Sequence, residues 1–250
     1  MRVIGIIPSR YASTRFPGKP LYMIKGKTMI QRVWEQACKS NLDTVVVATD
    51  DMRIAEEVLK FGGQYLMTNP NLRSGTDRCR EALYMIEEQY DAVVNIQGDE
   101  PFINPAQINQ VIEMIGHEDT QLASLAKRIE DEDELFSPSV VKVVMDKQGN
   151  ALYFSRNPIP FMRNLDHDKW LQKGEFYKHI GLYAYKTETL CQIAEMQSAM
   201  IEMAESLEQL RWLANGLRIR MGITPYESLS FNTQEDLEKV LQYAQDQLKE

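Results

Sequence analysis

Four short β-branched runs separated by amphipathic stretches constrain the fold of this chain more than any other feature. VIGII (3–7), TVVVATD (44–50), QYLMT (64–68) and DAVVNIQ (91–97) have the near-continuous apolar character of buried parallel strands. Helical stretches at about 28–39, 51–61 and 75–89 separate them. A further helix follows Asn104–Pro105, an N-cap residue with proline in the first turn. Strand–helix alternation with short connections predicts an open α/β sheet, a Rossmann-like mixed and mostly parallel one. In such sheets ligands bind beyond the C-terminal ends of the strands. Segments 8–20, 73–78 and 97–101 leave those ends and are rich in functional groups.

Beyond about residue 120 the pattern changes. The run VVKVVMDKQGNALYFSR (140–156) predicts a hairpin around a turn at 147–150, and YKHIGLYAYK (177–186) alternates as a strand. A long helix is expected over about 201–215, a strand near 218–224, and a final helix opened by FNTQED (231–236). No internal repeat, low-complexity tract or linker interrupts the chain. Residues 1–250 are expected to form a single domain with a small β-rich insertion at about 130–186.

Charge is distributed unevenly. The chain carries 28 basic and 36 acidic residues, a net charge of −8, which disfavours nucleic-acid coating or a membrane-surface role. Yet seven Arg or Lys precede Glu35, the first acidic residue. Arg10, Arg15 and Lys19 lie in the loop PSRYASTRFPGKPL, directly after the first strand. Three cations there, with no acid nearby in sequence, point to a small polyanion, and phosphate groups are the natural ligand. The loop lacks the G-x-x-x-x-G-K-[ST] pattern, which disfavours a P-loop ATPase or kinase. The three cysteines, Cys38, Cys79 and Cys191, suggest neither a disulfide framework nor a zinc site. With no bilayer-length apolar run and no signal-peptide pattern, the expected compartment is the cytoplasm.

Asp99 in NIQGDEP (95–101) follows the strand VVNIQ. A carboxylate at that edge suits Mg²⁺, which takes one or two carboxylates together with phosphate oxygens and water. Such an ion offsets charge when two anionic groups must approach during phosphoryl or nucleotidyl transfer.

These segments form an ordered series that resembles the sugar-activating nucleotidyltransferases, and within them the 3-deoxy-manno-octulosonate (Kdo) cytidylyltransferases. The series runs PSRYASTRFPGKPL, TDD (49–51), SGTDR (74–78), NIQGDEP, SVVKVVMDKQGNALYFSR (139–156), KHIGLYAY (178–185) and SLEQLR (206–211). The resemblance implies a CTP-dependent enzyme that activates Kdo or a closely related sugar acid and releases pyrophosphate. An amino-substituted Kdo, or a CTP-binding regulatory protein without turnover, is the alternative. It implies Arg10, Arg15, Lys19 and Asp99 as catalytic residues. Pro8, Ser13, Ser74, Gly75 and Gln97 would join the loop cations on the nucleotide. Arg78, Gln97, Glu100, Arg156, His179, Tyr183, Glu208 and Gln209 would line the sugar site. Mg²⁺ would be held by Asp99 and Asn232, and the β-rich insertion would form a homodimer contact. A nucleotide-sugar glycosyltransferase would normally show Asp-x-Asp at the strand end, and QGDEP is not one. Two positions depart from the family pattern. Asn232 stands where the family usually has Asp, as a helix N-cap with Glu235 three residues later, and Leu72 stands where it usually has His.

Overall fold

The computed structural model describes residues 1–12, 16–227 and 241–242. From the N-terminus, β1 (Val3–Ser9) is followed by a small antiparallel pair, β2 (Met23–Ile24) and β3 (Lys27–Thr28). Then come α1 (Met29–Ala37), β4 (Thr44–Thr49), α2 (Met52–Lys60) and β5 (Gln64–Met67). They are followed by α3 (Gly75–Tyr84), β6 (Ala92–Asn95) and α4 (Pro105–Ile115). The second half holds β7 (Leu122–Arg128), α5 (Glu132–Phe136), β8 (Lys142–Met145) and β9 (Ala151–Ser155). After these come α6 (Trp170–Lys173), β10 (Tyr177–Lys186) and α7 (Thr187–Glu195). The described chain closes on α8 (Met200–Glu205), α9 (Gln209–Ala214) and β11 (Arg220–Ile223).

The strand order is β11-β7-β10-β6-β1-β4-β5. Every neighbouring pair along this row is parallel except those made by β10, which runs antiparallel to both β7 and β6. The N-terminal end of β10 also pairs with β8, and the β8–β9 hairpin thereby extends the same sheet.

Alternation along β1 explains how both faces are covered. Val3 and Ile7 point into a layer built by Ile30 and Val33 of α1, Ile54 and Val58 of α2, and Ile108 and Val111 of α4. Ile4 and Ile6 point the other way, toward Cys79 and Ala82 of α3, Ile193 of α7 and Trp212 of α9. A strand with apolar residues at successive positions needs helices on both sides. Crossing from β1 to β4 uses α1 on one face, whereas β5 returns to β6 through α3 on the other. The crevice between the C-terminal ends of β1 and β6 is therefore the topological switch point, where α/β sheets bind ligands.

Asn104 caps α4 through a reciprocal capping box with Gln107, so Asn–Pro marks the helix start as expected. The sequence reading placed no element over 122–136, where β7 and α5 lie, and none over 187–195, where α7 lies. The helix expected over 201–215 is two helices. Ser206 adopts φ 52°, ψ 49°, which ends α8, and the chain re-enters helix at Gln209. A non-glycine residue pays for that left-handed conformation. The turn is held from outside: the Arg156 guanidinium donates to the carbonyl oxygens of Glu205 (2.7 Å) and Ser206 (3.3 Å). Helix propensity is continuous across 201–215, so the break comes from this tertiary contact. The helix expected after FNTQED lies outside the described residues apart from helical positions 241–242.

Because the left-handed turn at Ser206 is exposed and already ordered, Ser206→Gly should stabilise the fold by about 1 kcal/mol. Denaturant unfolding of the two proteins checks this, with equal midpoints counting against strain at the turn.

Candidate active site

A cleft of about 240 Å³ opens at the switch point. One wall is the end of β1 (Pro8, Ser9, Arg10), the opposite wall is the turn after β6 (Gln97, Gly98, Asp99), and the floor is the start of α3 (Ser74, Gly75, Arg78). The two walls touch. A Cβ built on Gly98 would stand 2.6 Å from the Ser9 hydroxyl and 2.9 Å from the Pro8 carbonyl oxygen, so only glycine fits there.

Lys19 reaches the cleft from a single 3-10 turn, Lys19–Leu21, that follows Gly18. Gly18 has φ +72°, and its N–H donates to the Tyr11 carbonyl (3.0 Å), closing the loop. The Tyr11 ring in turn lies under the Arg53 guanidinium, 3.3 Å from its centroid. Lys19 Nζ lies 2.6 Å from Asp99 Oδ2. The loop cation and the strand-end carboxylate, 80 residues apart, thus face each other across the cleft. Arg10 is exposed at the mouth and, among the described residues, forms no ion pair. Ser13 and Arg15 lie outside the described residues, as does Asn232.

Other members of the N-terminal cation cluster have acids or carbonyls close by in space. Lys27 pairs with Glu35 (2.7 Å), Arg2 with Glu88 (3.1 Å), and Arg32 donates to the carbonyls of Ile24 and Lys25. The absence of acid from the first 34 residues therefore overstated the positive field.

Ser74 caps α3 by accepting from the Asp77 N–H (3.1 Å) and also hydrogen-bonds the Glu208 carboxylate. Thr76 Oγ1 lies 3.1 Å from Glu208 Oε2. Glu208 sits at the N-terminus of α9, so these bonds join the start of one helix to the start of another. Burial raises the Glu208 carboxyl above its ordinary pKa, and the two hydroxyl donors oppose that shift in part. Arg78 lines the cleft floor but is buried and already engaged: its guanidinium pairs with Asp50 (2.8 Å) and donates to the Thr68 hydroxyl.

β10 carries His179, Gly181 and Tyr183. Between Ile180 and Tyr183 it advances three positions while β7 advances one, a bulge at Gly181–Leu182. A Cβ at Gly181 would lie 3.6 Å from Gln97 and 3.8 Å from Glu100, so the bulge rests against the turn that bears Asp99. His179 packs edge-on to Phe154 and beside Tyr183, with Nε2 3.0 Å from the Ser124 hydroxyl. Desolvation pushes its pKa down to about 3, which keeps the ring neutral. Tyr183 is buried between His179 and Trp212, and burial raises its phenol well above the ordinary range. Gln209 is buried in the first turn of α9. Of the predicted sugar residues, Arg78 and Gln97 line the cleft, whereas Glu100, Arg156, His179, Tyr183, Glu208 and Gln209 do not, and Arg156 is turned to the backbone, donating to the carbonyls of Pro138, Glu205 and Ser206.

Arg73, Ser9 and Gly98 line the cleft although the sequence reading assigned them no role. Arg73 had a legible signal, a cation directly before the Ser-Gly that opens α3. Ser9 had none, since the close approach of Gly98 is a property of the fold.

The cytidylyltransferase family model matches residues 4–219. A relative from Parabacteroides distasonis, a 3-deoxy-manno-octulosonate cytidylyltransferase, is 53% identical over 97% of this chain and 98% of its own length. The protein of that name from Bacteroides thetaiotaomicron is 52% identical over 95% of this chain and 96% of its own. A solved structure of CMP:2-keto-3-deoxy-manno-octonic acid synthetase complexed with CTP superposes with a TM-score of 0.91 at 38% identity, covering 99% of this chain and all of that one. A 4-diphosphocytidyl-2C-methyl-D-erythritol synthase from Anaerococcus prevotii shares the fold at 13% identity and a TM-score of 0.63. The chain belongs to the cytidylyltransferase family, in its 3-deoxy-manno-octulosonate branch.

Proposed function

We propose that this protein transfers the cytidylyl group of CTP to the anomeric hydroxyl of Kdo, giving the CMP-sugar and pyrophosphate. The observation that carries the reading is the switch-point cleft, where Lys19 and Asp99 meet from opposite walls beside Arg10. The sugar hydroxyl attacks the α-phosphorus in line, the bond to the β-phosphate oxygen breaks, and pyrophosphate departs. No covalent enzyme intermediate is needed. Arg10, Arg15 and Lys19 hold the triphosphate, with Arg73 placed to add a fourth cation. Entry of the triphosphate gives Lys19 an anionic partner in place of Asp99. Ser74 and Gly75, small residues on the cleft floor, leave room for a flat base. Gln97, Glu100, His179, Tyr183, Glu208 and Gln209 surround the sugar, while Arg78 is held ready by Asp50. Arg156 supports this side indirectly through the Ser206 turn.

The donor set fits Mg²⁺: Asp99 is a hard oxygen ligand freed when Lys19 turns to phosphate, and the remaining positions go to phosphate oxygens and water. Asn232, a neutral oxygen donor, is our second candidate ligand. Bound there, the ion would offset the charge developing on the transferring phosphorus and the leaving pyrophosphate. We further place the homodimer contact on the β8–β9 hairpin and the segment after it, where Leu152 and Phe161 are 61% and 72% exposed. Three free cysteines suit a reducing cytoplasm, and among the described residues no helix is long and apolar enough to cross a membrane. The product would supply activated Kdo for lipopolysaccharide or capsule synthesis.

Pyrophosphate release from CTP with Kdo, and with an amino-substituted Kdo as competitor, tests the reaction directly. Absence of release with both acceptors would reject it. Lys19→Ala should raise the KM for CTP by about tenfold or more, since a charged contact from a nearly buried lysine is lost. Asp99→Asn should instead lower kcat while retaining most CTP binding, because its effect is largest where charge develops. Initial rates at varied CTP and Mg²⁺ separate the two, and an Asp99→Asn enzyme of native kcat would remove Asp99 from the reaction.

Glu208→Gln should raise the KM for Kdo with little change for CTP. The same variant has a stability signature. The folded state holds the Glu208 proton more tightly than the unfolded chain, so this residue favours folding fully at acid pH. That contribution is lost as pH rises from the ordinary value of 4.5 toward the raised one. Glu208→Gln should therefore gain stability relative to the parent as pH rises through that window. Denaturant midpoints at acid and neutral pH measure it, and a constant difference would show that Glu208 does not titrate there.

A further inference from the structure

Ser124 belongs to none of the motifs described above, yet its buried hydroxyl has three polar neighbours. Its Oγ lies 2.9 Å from the Leu182 carbonyl oxygen, 3.1 Å from the Ile180 carbonyl oxygen and 3.0 Å from His179 Nε2. The residue is fully buried on β7, opposite the bulge in β10. A serine hydroxyl has one proton to give and lone pairs to accept with. Two of its neighbours are carbonyls, which can only accept.

Were the proton given to His179, the oxygen would face two carbonyl oxygens at contact distance with no hydrogen between them. Buried, uncompensated acceptor–acceptor contacts of that kind are costly. Were the proton shared between the carbonyls, all three contacts would be satisfied, provided the imidazole carries hydrogen on Nε2 and donates it to Ser124. We propose that Ser124 is a positioning residue that fixes His179 as the Nε2–H tautomer, leaving Nδ1 as an unprotonated acceptor for a hydroxyl of the sugar acid.

The assignment rests on the Kdo reading for its ligand, but the tautomer stands on this geometry alone. It also defines what His179 can recognise. A neutral ring that accepts at Nδ1 selects a hydroxyl donor and cannot serve as counter-ion to the sugar carboxylate, which is left to cationic side chains. The low pKa of the ring, which follows from its burial, agrees with a neutral imidazole at every physiological pH. The same Ser124 proton bridges the carbonyls on either side of Gly181, so it also holds the bulge against Gln97 and Glu100. One hydroxyl thus sets both the ring's hydrogen and the strand's course. Its place in the sequence, 55 residues before His179, gives no hint of this.

Imidazole nitrogen chemical shifts of the full-length ¹⁵N-labelled protein test the proposal. The chain has three histidines, and His117 and His167 are exposed, so the His179 ring is readily distinguished. The expected spectrum shows His179 as Nε2–H, unchanged from about pH 5 to 8. Ser124→Ala should populate both tautomers and raise the KM for Kdo about 5- to 10-fold, the loss of one ordinary hydrogen bond, with the KM for CTP unchanged. Ser124→Thr, which keeps the hydroxyl, should restore the native spectrum and KM. An Nδ1–H ring or an imidazolium in the unmodified protein would overturn the assignment, even if neither variant folds. A Ser124→Ala protein with native tautomer, or with native KM for Kdo, would remove Ser124 from its positioning role. If Kdo is not the acceptor, pyrophosphate release fails while the tautomer result still stands or falls independently.

Discussion

The turn after β6 can lie against the end of β1 only because residue 98 has no side chain. Ser9 and the Pro8 carbonyl occupy the space a Cβ would need. That contact fixes the separation of the two walls, and the rest of the site takes its dimensions from it. Asp99 follows Gly98 directly and so meets Lys19 from the β1 loop at 2.6 Å. Gln97 precedes it and meets the bulge of β10, which carries His179 and Tyr183. The Lys19–Asp99 pair and the bulge of β10 are thus hung on one backbone approach, with β1 buried between two helical layers as the reference.

Much of this was legible in the sequence because local and global signals agreed. The β-branched runs became β1, β4, β5 and β6, the hairpin over 140–156 formed around its turn, and 177–186 is a strand throughout. What escaped had a physical reason in each case. β7 reads LASLAKR, whose small and mixed residues lack the alternation of a half-buried strand, yet it is buried over most of its length. The break at Ser206 has no glycine or proline to announce it, since the Arg156 guanidinium supplies what a left-handed glycine usually would.

Arginine was the residue type whose role could be read least well from sequence. A guanidinium offers five donors, and backbone carbonyls accept them as readily as a ligand's carboxylate does. Arg156, Arg32 and Arg78 all sit in segments with chemical character, but the first two spend their donors on main-chain oxygens and the third on Asp50 and Thr68. The acids and carbonyls that engage them are distant in sequence or hidden in the backbone. The family series, being an ordered set of segments rather than a single residue type, identified the fold and chemistry correctly despite this.

The cations around the cleft differ in how much water they see, and that difference divides their labour. Arg10 and Arg73 are exposed at its edge, whereas Lys19 is nearly buried and Arg78 is enclosed with its own carboxylate. Charges in open solvent act over roughly 8–10 Å at moderate ionic strength and are screened beyond that. On the proposed reaction the two outer arginines would therefore govern how fast a highly charged nucleotide is drawn in, a step that dissolved salt weakens. Once inside, on the proposed reaction, the nucleotide would be retained by Lys19, which is nearly buried and so less open to competing counter-ions. Capture would then be salt-sensitive and residence would not, which would make the enzyme's response to ionic strength chiefly a matter of arrival.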